Sequence, residues 1–185
     1  MMHATRSHRR HPAALRGTTQ DIGTPPRLCK SPLRATGKMG NAGRMDDLET
    51  RIRTSFDRQG MLVTLGATLL DITPGKVVIA VPIRPEVSQQ QGYAHGGLAF
   101  AIGDSAAGYS ALSLLDADSE VVTSEMAIHY LAPGSGQRLI ARGSVIKPGK
   151  RMLVTQADVY AQDQGKERHI ARLTGTMVRV PASPA

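Results

Sequence analysis

HGGLAFAIGDSAAGYSALSLL, residues 95–115, is the stretch on which the fold turns. Between Leu98 and Leu115 its one charged side chain is Asp104, and Ala, Leu, Ile, Phe, Ser and Gly make up nearly everything else. A helix apolar on all sides is either a membrane span or the buried axis of a soluble domain. The length permits a span. Yet Gly103, Gly108, Ser105, Ser110, Ser113 and Asp104 dilute the hydrophobicity, and the flanking segments read as soluble-type strands. The buried axis is the better reading, and no membrane span is expected.

Upstream, MLVTLGATLLDITPGKVVIAVPIRP (61–85) holds two apolar, β-branched-rich runs separated by Thr73-Pro74-Gly75, the pattern of a hairpin. MDDLETRIRTSFDRQG (45–60) precedes it, with Leu48, Ile52 and Phe56 at helical spacing. Asp46 and Asp47 are expected at the positive end of that helix, and Gly60 as its stop. Downstream, residues 119–132, 136–147, 151–162 and 166–180 are four strand-length runs broken by PGSG, PGK and DQG. The predicted order is a short helix, two strands, one long helix and four strands. Six antiparallel strands and one long apolar helix pack sensibly if the sheet curls around the helix, an α+β domain. No internal repeat or second domain is visible.

Asp104 then needs a reason. A carboxylate on a buried helix is costly unless paired or used. It can be a core Asp satisfied by a backbone amide or an Arg of the sheet, or a functional group, since perturbed carboxylates collect at sites. Gly97, Ala101, Ala107, Gly108 and Ala111 share its side of the helix and leave room beside it, with Phe100 the one large neighbour. His95-Gly96-Gly97 opens the helix, where unpaired N–H groups and the dipole favour negative charge. Two glycines let a ligand approach the backbone closely. Such an end suits the oxyanion of a thioester carbonyl in its tetrahedral state. It is no nucleotide P-loop, because the Lys-Ser/Thr partner is missing.

QQQGYAHGGLAFAIGDSAAGYSA (89–111) resembles the signature of the PaaI-like thioesterases (the phenylacetic-acid-degradation type) of the hotdog superfamily. That pattern is Asn or Gln, five residues, His-Gly-Gly, and an acid nine positions after the His; Gln89, His95, Gly96, Gly97 and Asp104 fit it. VVTSEMAIHYLAP (121–133) resembles the next family strand, with Thr123 at its usual Ser or Thr, and KPGKR (147–151) a later turn. The resemblance covers residues 45–180. It implies a hotdog fold, a curved antiparallel sheet of about six strands around the central helix, and hydrolysis of an acyl-CoA thioester to acid and CoA. Asp104 is then general base or nucleophile, and Gly96 N–H the main oxyanion donor. Gln89 positions water or the carbonyl, Thr123 orients water or carboxylate, and His95 braces the loop. Gln stands where Asn is commoner, and Gln90 and Gln91 leave that register arguable. Family sites lie between subunits, which implies a homodimer and a dimer of dimers. No cofactor is implied, coenzyme A being part of the substrate.

Two other readings stay beside this one: a non-catalytic acyl-CoA-binding module, such as a regulator's effector domain, and a hotdog dehydratase or hydratase. A regulator needs a DNA-reading element, and residues 1–44 hold no helix-turn-helix pattern. A dehydratase pairs a catalytic His with an acid in another arrangement, whereas His95 belongs to His-Gly-Gly. His129 and His169 lack metal-like spacing, and Ser105 lacks a nucleophile elbow, so no metal site is expected.

The formal charge of +8 on 185 residues invites a nucleic-acid partner. Residues 1–44 hold nine Lys or Arg and one acid, Asp21, while the rest balances at fourteen of each. Basicity without a fold gives only non-specific binding, so no specific nucleic acid is expected. Composition predicts that this stretch is disordered, and residues 181–185 are expected to be a flexible C-terminus. Residues 1–44 read as a dispensable extension upstream of Met45, a targeting segment, or a nucleic-acid arm. Cys29 is the only cysteine, which excludes an intrachain disulfide and a cysteine metal cluster and suits a reducing, cytoplasmic setting. Lys147, Lys150 and Arg151 cluster in the turn at 147–151. They are either an ordinary solvated hairpin or a contact for the phosphates of coenzyme A.

Overall fold

The computed structural model describes residues 41–182. What composition predicts for residues 1–40 and 183–185 lies outside the described residues. Helix α1 spans Asn41–Asp57 and α2 Gly60–Leu65. Strands β1 (Thr68–Thr73) and β2 (Lys76–Pro82) form the expected hairpin, with Gly75 at φ +78° where a side chain would be strained. A single 3-10 turn at Pro85–Val87 leads to the central helix α3, Gly96–Leu112. Then follow β3 (Ser119–Tyr130), β4 (Arg138–Lys147), β5 (Met152–Asp163) and β6 (Lys166–Pro181).

The six strands form one sheet in the order β1-β2-β4-β5-β6-β3, with every neighbouring pair antiparallel. β3 is therefore an edge strand, although it follows the central helix in the chain. α3 lies across the sheet against β2 through β6. Val77, Gly143, Ala157 and Leu173 are paired in one row across β2, β4, β5 and β6, on the face that meets α3. A Cβ on Gly143 would run into the backbone of Ala106 and Ala107, so helix and strand touch backbone to backbone there. Leu98, Ile102, Leu112, Leu139, Leu153 and Met177 fill the space around that contact and are almost wholly buried. Each such side chain contributes roughly 2 kcal/mol relative to exposure.

α1 closes the far end of α3. Ile52 and Phe56 are buried, and the Phe56 and Tyr109 rings lie 5.9 Å apart. The Tyr109 hydroxyl accepts a hydrogen bond from Gln59 Nε2 at 2.8 Å, and Arg51 donates to the Leu115 and Ser119 carbonyls.

Three sequence expectations need correction. The first helix begins at Asn41, not Met45, so Asp46 and Asp47 sit beyond its first turn and do not meet the dipole's positive end. Gly60 does not stop a helix; it opens α2. Residues 61–65 are helical instead of the start of a strand, because burying Leu62 against the core outweighs the β-preference of Val63 and Thr64. Gly66 at φ +71° then ends that turn, its N–H bonding back to Leu62 and Val63 carbonyls.

Candidate active site

α3 carries the candidate chemistry at two levels. At its start, His95 is the N-cap, and its Nδ1 accepts the Gly97 N–H at 2.9 Å. The Gly96 N–H makes no hydrogen bond among the described residues. The Tyr130 hydroxyl donates to the Gly96 carbonyl at 3.0 Å and ties the helix start to the end of β3. A Cβ on Gly96 would come within 2.8 Å of that hydroxyl.

Asp104 lies farther along, half-buried, with Oδ1 accepting from the Thr123 hydroxyl at 2.8 Å. Thr123 sits on β3 beside an irregularity in the pairing with β6, and its hydroxyl also lies 3.4 Å from Met177 Sδ. Burial pushes the Asp104 carboxyl above the usual carboxylate range, and the Thr123 hydrogen bond pulls it part of the way back. A carboxylate so placed is a stronger base than a solvated one.

The two levels are separate within one chain. Eight residues from Gly96 to Asp104 amount to about 12 Å of helix rise. One thioester carbonyl cannot touch both groups at hydrogen-bonding range. The structure therefore brings together Asp104 with Thr123, and His95 with Gly96 and Gly97, as two separate clusters.

The remaining candidates lie elsewhere. Gln89 is half-buried in the loop before α3, its N–H bonded to the Tyr93 carbonyl at 2.8 Å and its carbonyl to the Gly92 N–H at 2.9 Å. Its side chain makes no hydrogen bond among the described residues. Lys147, Lys150 and Arg151 are exposed. Lys150 and Arg151 line a cavity that also includes Arg179; Lys147 is not part of it. Sequence reasoning did not single out Tyr130 or Arg179. Each acts through a partner 34 or 60 residues away, and no local pattern carries that information.

Among the described residues, no three of His, Cys, Asp and Glu lie close enough to hold a metal ion. No helix among them is long and apolar enough to cross a membrane.

A curved antiparallel sheet around a helix with His-Gly-Gly at its start and one carboxylate in its middle defines a hotdog protein of the thioesterase type. Residues 91–167 match the family model described as the thioesterase superfamily. A thioesterase family protein from Silicibacter pomeroyi is 36% identical, with a TM-score of 0.71 over 73% of this chain and 99% of that one. A variant of the phenylacetic acid degradation protein PaaI from Thermus thermophilus is 28% identical, with a TM-score of 0.56 over 65% and 98%. Acyl-coenzyme A thioesterase 13 of Homo sapiens is 29% identical over 54% of this chain and 71% of its own length. The chain belongs to the thioesterase superfamily.

Proposed function

We propose that this chain hydrolyses acyl-CoA thioesters, with Asp104 as the reacting carboxylate and each site shared between two chains of a homodimer. The activity is assigned to residues 45–180. The observation that carries the reading is the lone half-buried carboxylate of α3, raised in basicity by burial and oriented by Thr123. In the general-base route, Asp104 takes a proton from water as the water oxygen attacks the thioester carbonyl. The Gly96 N–H holds the tetrahedral oxyanion. Collapse then breaks the C–S bond, and the CoA thiolate leaves with the proton from Asp104. In the nucleophilic route, an Asp104 carboxylate oxygen attacks the thioester carbonyl, the C–S bond breaks and the CoA thiolate leaves, and water then hydrolyses the mixed anhydride to the acid and the free Asp104 carboxylate. Gln89 serves to position water or the carbonyl. The reaction calls for no cofactor beyond the coenzyme A of the substrate.

The edge of β3, which pairs with no further strand among the described residues, supports the shared site. Thr123, beside Asp104, and Tyr130, beside Gly96, lie on that one strand. If two β3 edges pair antiparallel about Met126 and Ala127, Thr123 of one chain falls opposite the partner's Tyr130. Asp104 then meets the partner's Gly96, and the separation along the helix is bridged. A further pairing of dimers is compatible with this arrangement.

Thiol release from a panel of acyl-CoA esters tests the reading. Asp104→Asn keeps the shape and removes the base, so turnover should fall by roughly two to four orders of magnitude. A folded Asp104→Asn protein with near wild-type turnover would overturn it.

A further inference from the structure

We infer that Tyr130 is a positioning residue for the hydrolysis: its hydroxyl holds the peptide between Gly96 and Gly97, and that restraint aims the Gly96 N–H at the oxyanion. The inference rests on the acyl-CoA reading above and adds to it a residue that acts without touching the substrate. The Tyr130 hydroxyl donates to the Gly96 carbonyl at 3.0 Å. A Cβ on Gly96 would lie 2.8 Å from that oxygen and 3.0 Å from the ring carbon that bears it, so the ring itself is seated on the Gly96 backbone.

Two neighbouring peptide planes meet at Gly96. A peptide unit is planar, so bonds at its two ends fix the whole plane. In the plane between Gly96 and Gly97, the carbonyl accepts from Tyr130 and the Gly97 N–H donates to His95 Nδ1 at 2.9 Å. In the plane between His95 and Gly96, the carbonyl accepts from the Leu98 N–H at 2.9 Å. The N–H at the other end of that plane makes no hydrogen bond among the described residues, and it is the donor assigned above to the oxyanion. Glycine leaves rotation between the two planes cheap, and the first N–H groups of a helix lack the intrahelical bonds that would restrain it. Tyr130 and His95 supply the restraint from outside the helix.

Tyr130 is itself anchored. It ends β3, paired with Ala171 of β6, and the next two N–H groups, of Leu131 and Ala132, bond to the Ile170 carbonyl at 2.8 and 3.3 Å. The chain entering α3 is held as well, by the His95 N–H on the Val87 carbonyl and the Ala94 N–H on the Gly134 carbonyl. A tyrosine hydroxyl has one proton to give, and here the Gly96 carbonyl takes it, which leaves none for the thioester oxygen. The effect of Tyr130 on the reaction therefore passes through the backbone. An oxyanion donor stabilises the transition state only while it stays aimed, so loosening it lowers turnover and leaves substrate binding alone.

Tyr130→Phe in the full chain removes the hydroxyl and keeps the ring, and at 56% exposure the residue is not one on which the fold depends. With an acyl-CoA substrate, kcat should fall about tenfold while KM stays within about twofold. The acid limb of the pH–rate profile should not move, because Asp104 and Thr123 are untouched. Hydrogen exchange at the Gly97 amide, followed by NMR, needs no turnover. Loss of the hydroxyl should speed it about tenfold, with the amides of β5 exchanging as in wild type. A kcat within twofold of wild type, or a change in KM alone, would overturn the proposal. So would a lower kcat with Gly97 exchange unchanged, since Tyr130 would then act on the substrate directly. Faster Gly97 exchange in a protein whose wild type releases no thiol from acyl-CoA would keep the restraint on the peptide and lose the thioesterase reading.

Discussion

Asp104 is readable in the sequence because it is the single charge between Leu98 and Leu115, and a lone carboxylate on an apolar helix must be satisfied or used. The structure gives it one hydroxyl, from Thr123, too little to neutralise it. Burial raises the carboxyl above the usual range, so the acid limb of the pH–rate profile should fall at a higher pH than for a solvated Asp. Thr123→Val removes the contact that lowers the pKa and should move that limb higher still. A profile unchanged in Thr123→Val would mean that the hydroxyl does not act on the base. Stability follows with opposite sign. A carboxyl protonated more readily in the folded state loses stability as pH rises from its unfolded pKa through its folded one. The neutral Asp104→Asn should accordingly be at least as stable as wild type above that range while losing turnover. Thr123 was indicated by family resemblance alone. Tyr130 and Arg179 were illegible because their contacts are made only once β3 and β6 are in place.

The elements follow from periodicity where the pattern is long. β3 to β6 fall within two residues of their expected starts, because Pro-Gly and Gln-Gly turns separate runs of β-branched residues. The short segment 61–65 looks like strand in the sequence and is helix in the fold, since five residues carry too little pattern to outvote a tertiary contact. The edge position of β3 was equally hidden: strand order is set by the long connection through α3, which sequence spacing does not encode. Gly143 offered a signal, a glycine inside a strand, whose meaning is the close approach of α3. Gly143→Ala should push α3 off the sheet and destabilise the protein by about 3 kcal/mol, the upper end of overpacking costs. Denaturant unfolding checks this, and a loss below about 0.5 kcal/mol would show that the backbone contact is looser than described.

For the whole molecule, the exposed edge of β3 is the feature most in need of a partner. Val122, Tyr130 and the following Leu131 are 50%, 56% and 56% exposed, an apolar edge strand that a monomer would leave open to chance pairing. In the homodimer proposed above, pairing two such edges would cover it and bring Asp104 of one chain towards Gly96 of the other. Subunit complementation tests that claim most directly. Asp104→Asn chains and Gly96→Val chains, each inactive alone, are co-produced with different tags and purified as heterodimers. In each heterodimer one site carries both lesions and the other carries neither, so thioesterase activity should return to about half the wild-type value per dimer. Heterodimers as inactive as their parents would contradict the shared site and return Asp104 and Gly96 to separate roles within one chain.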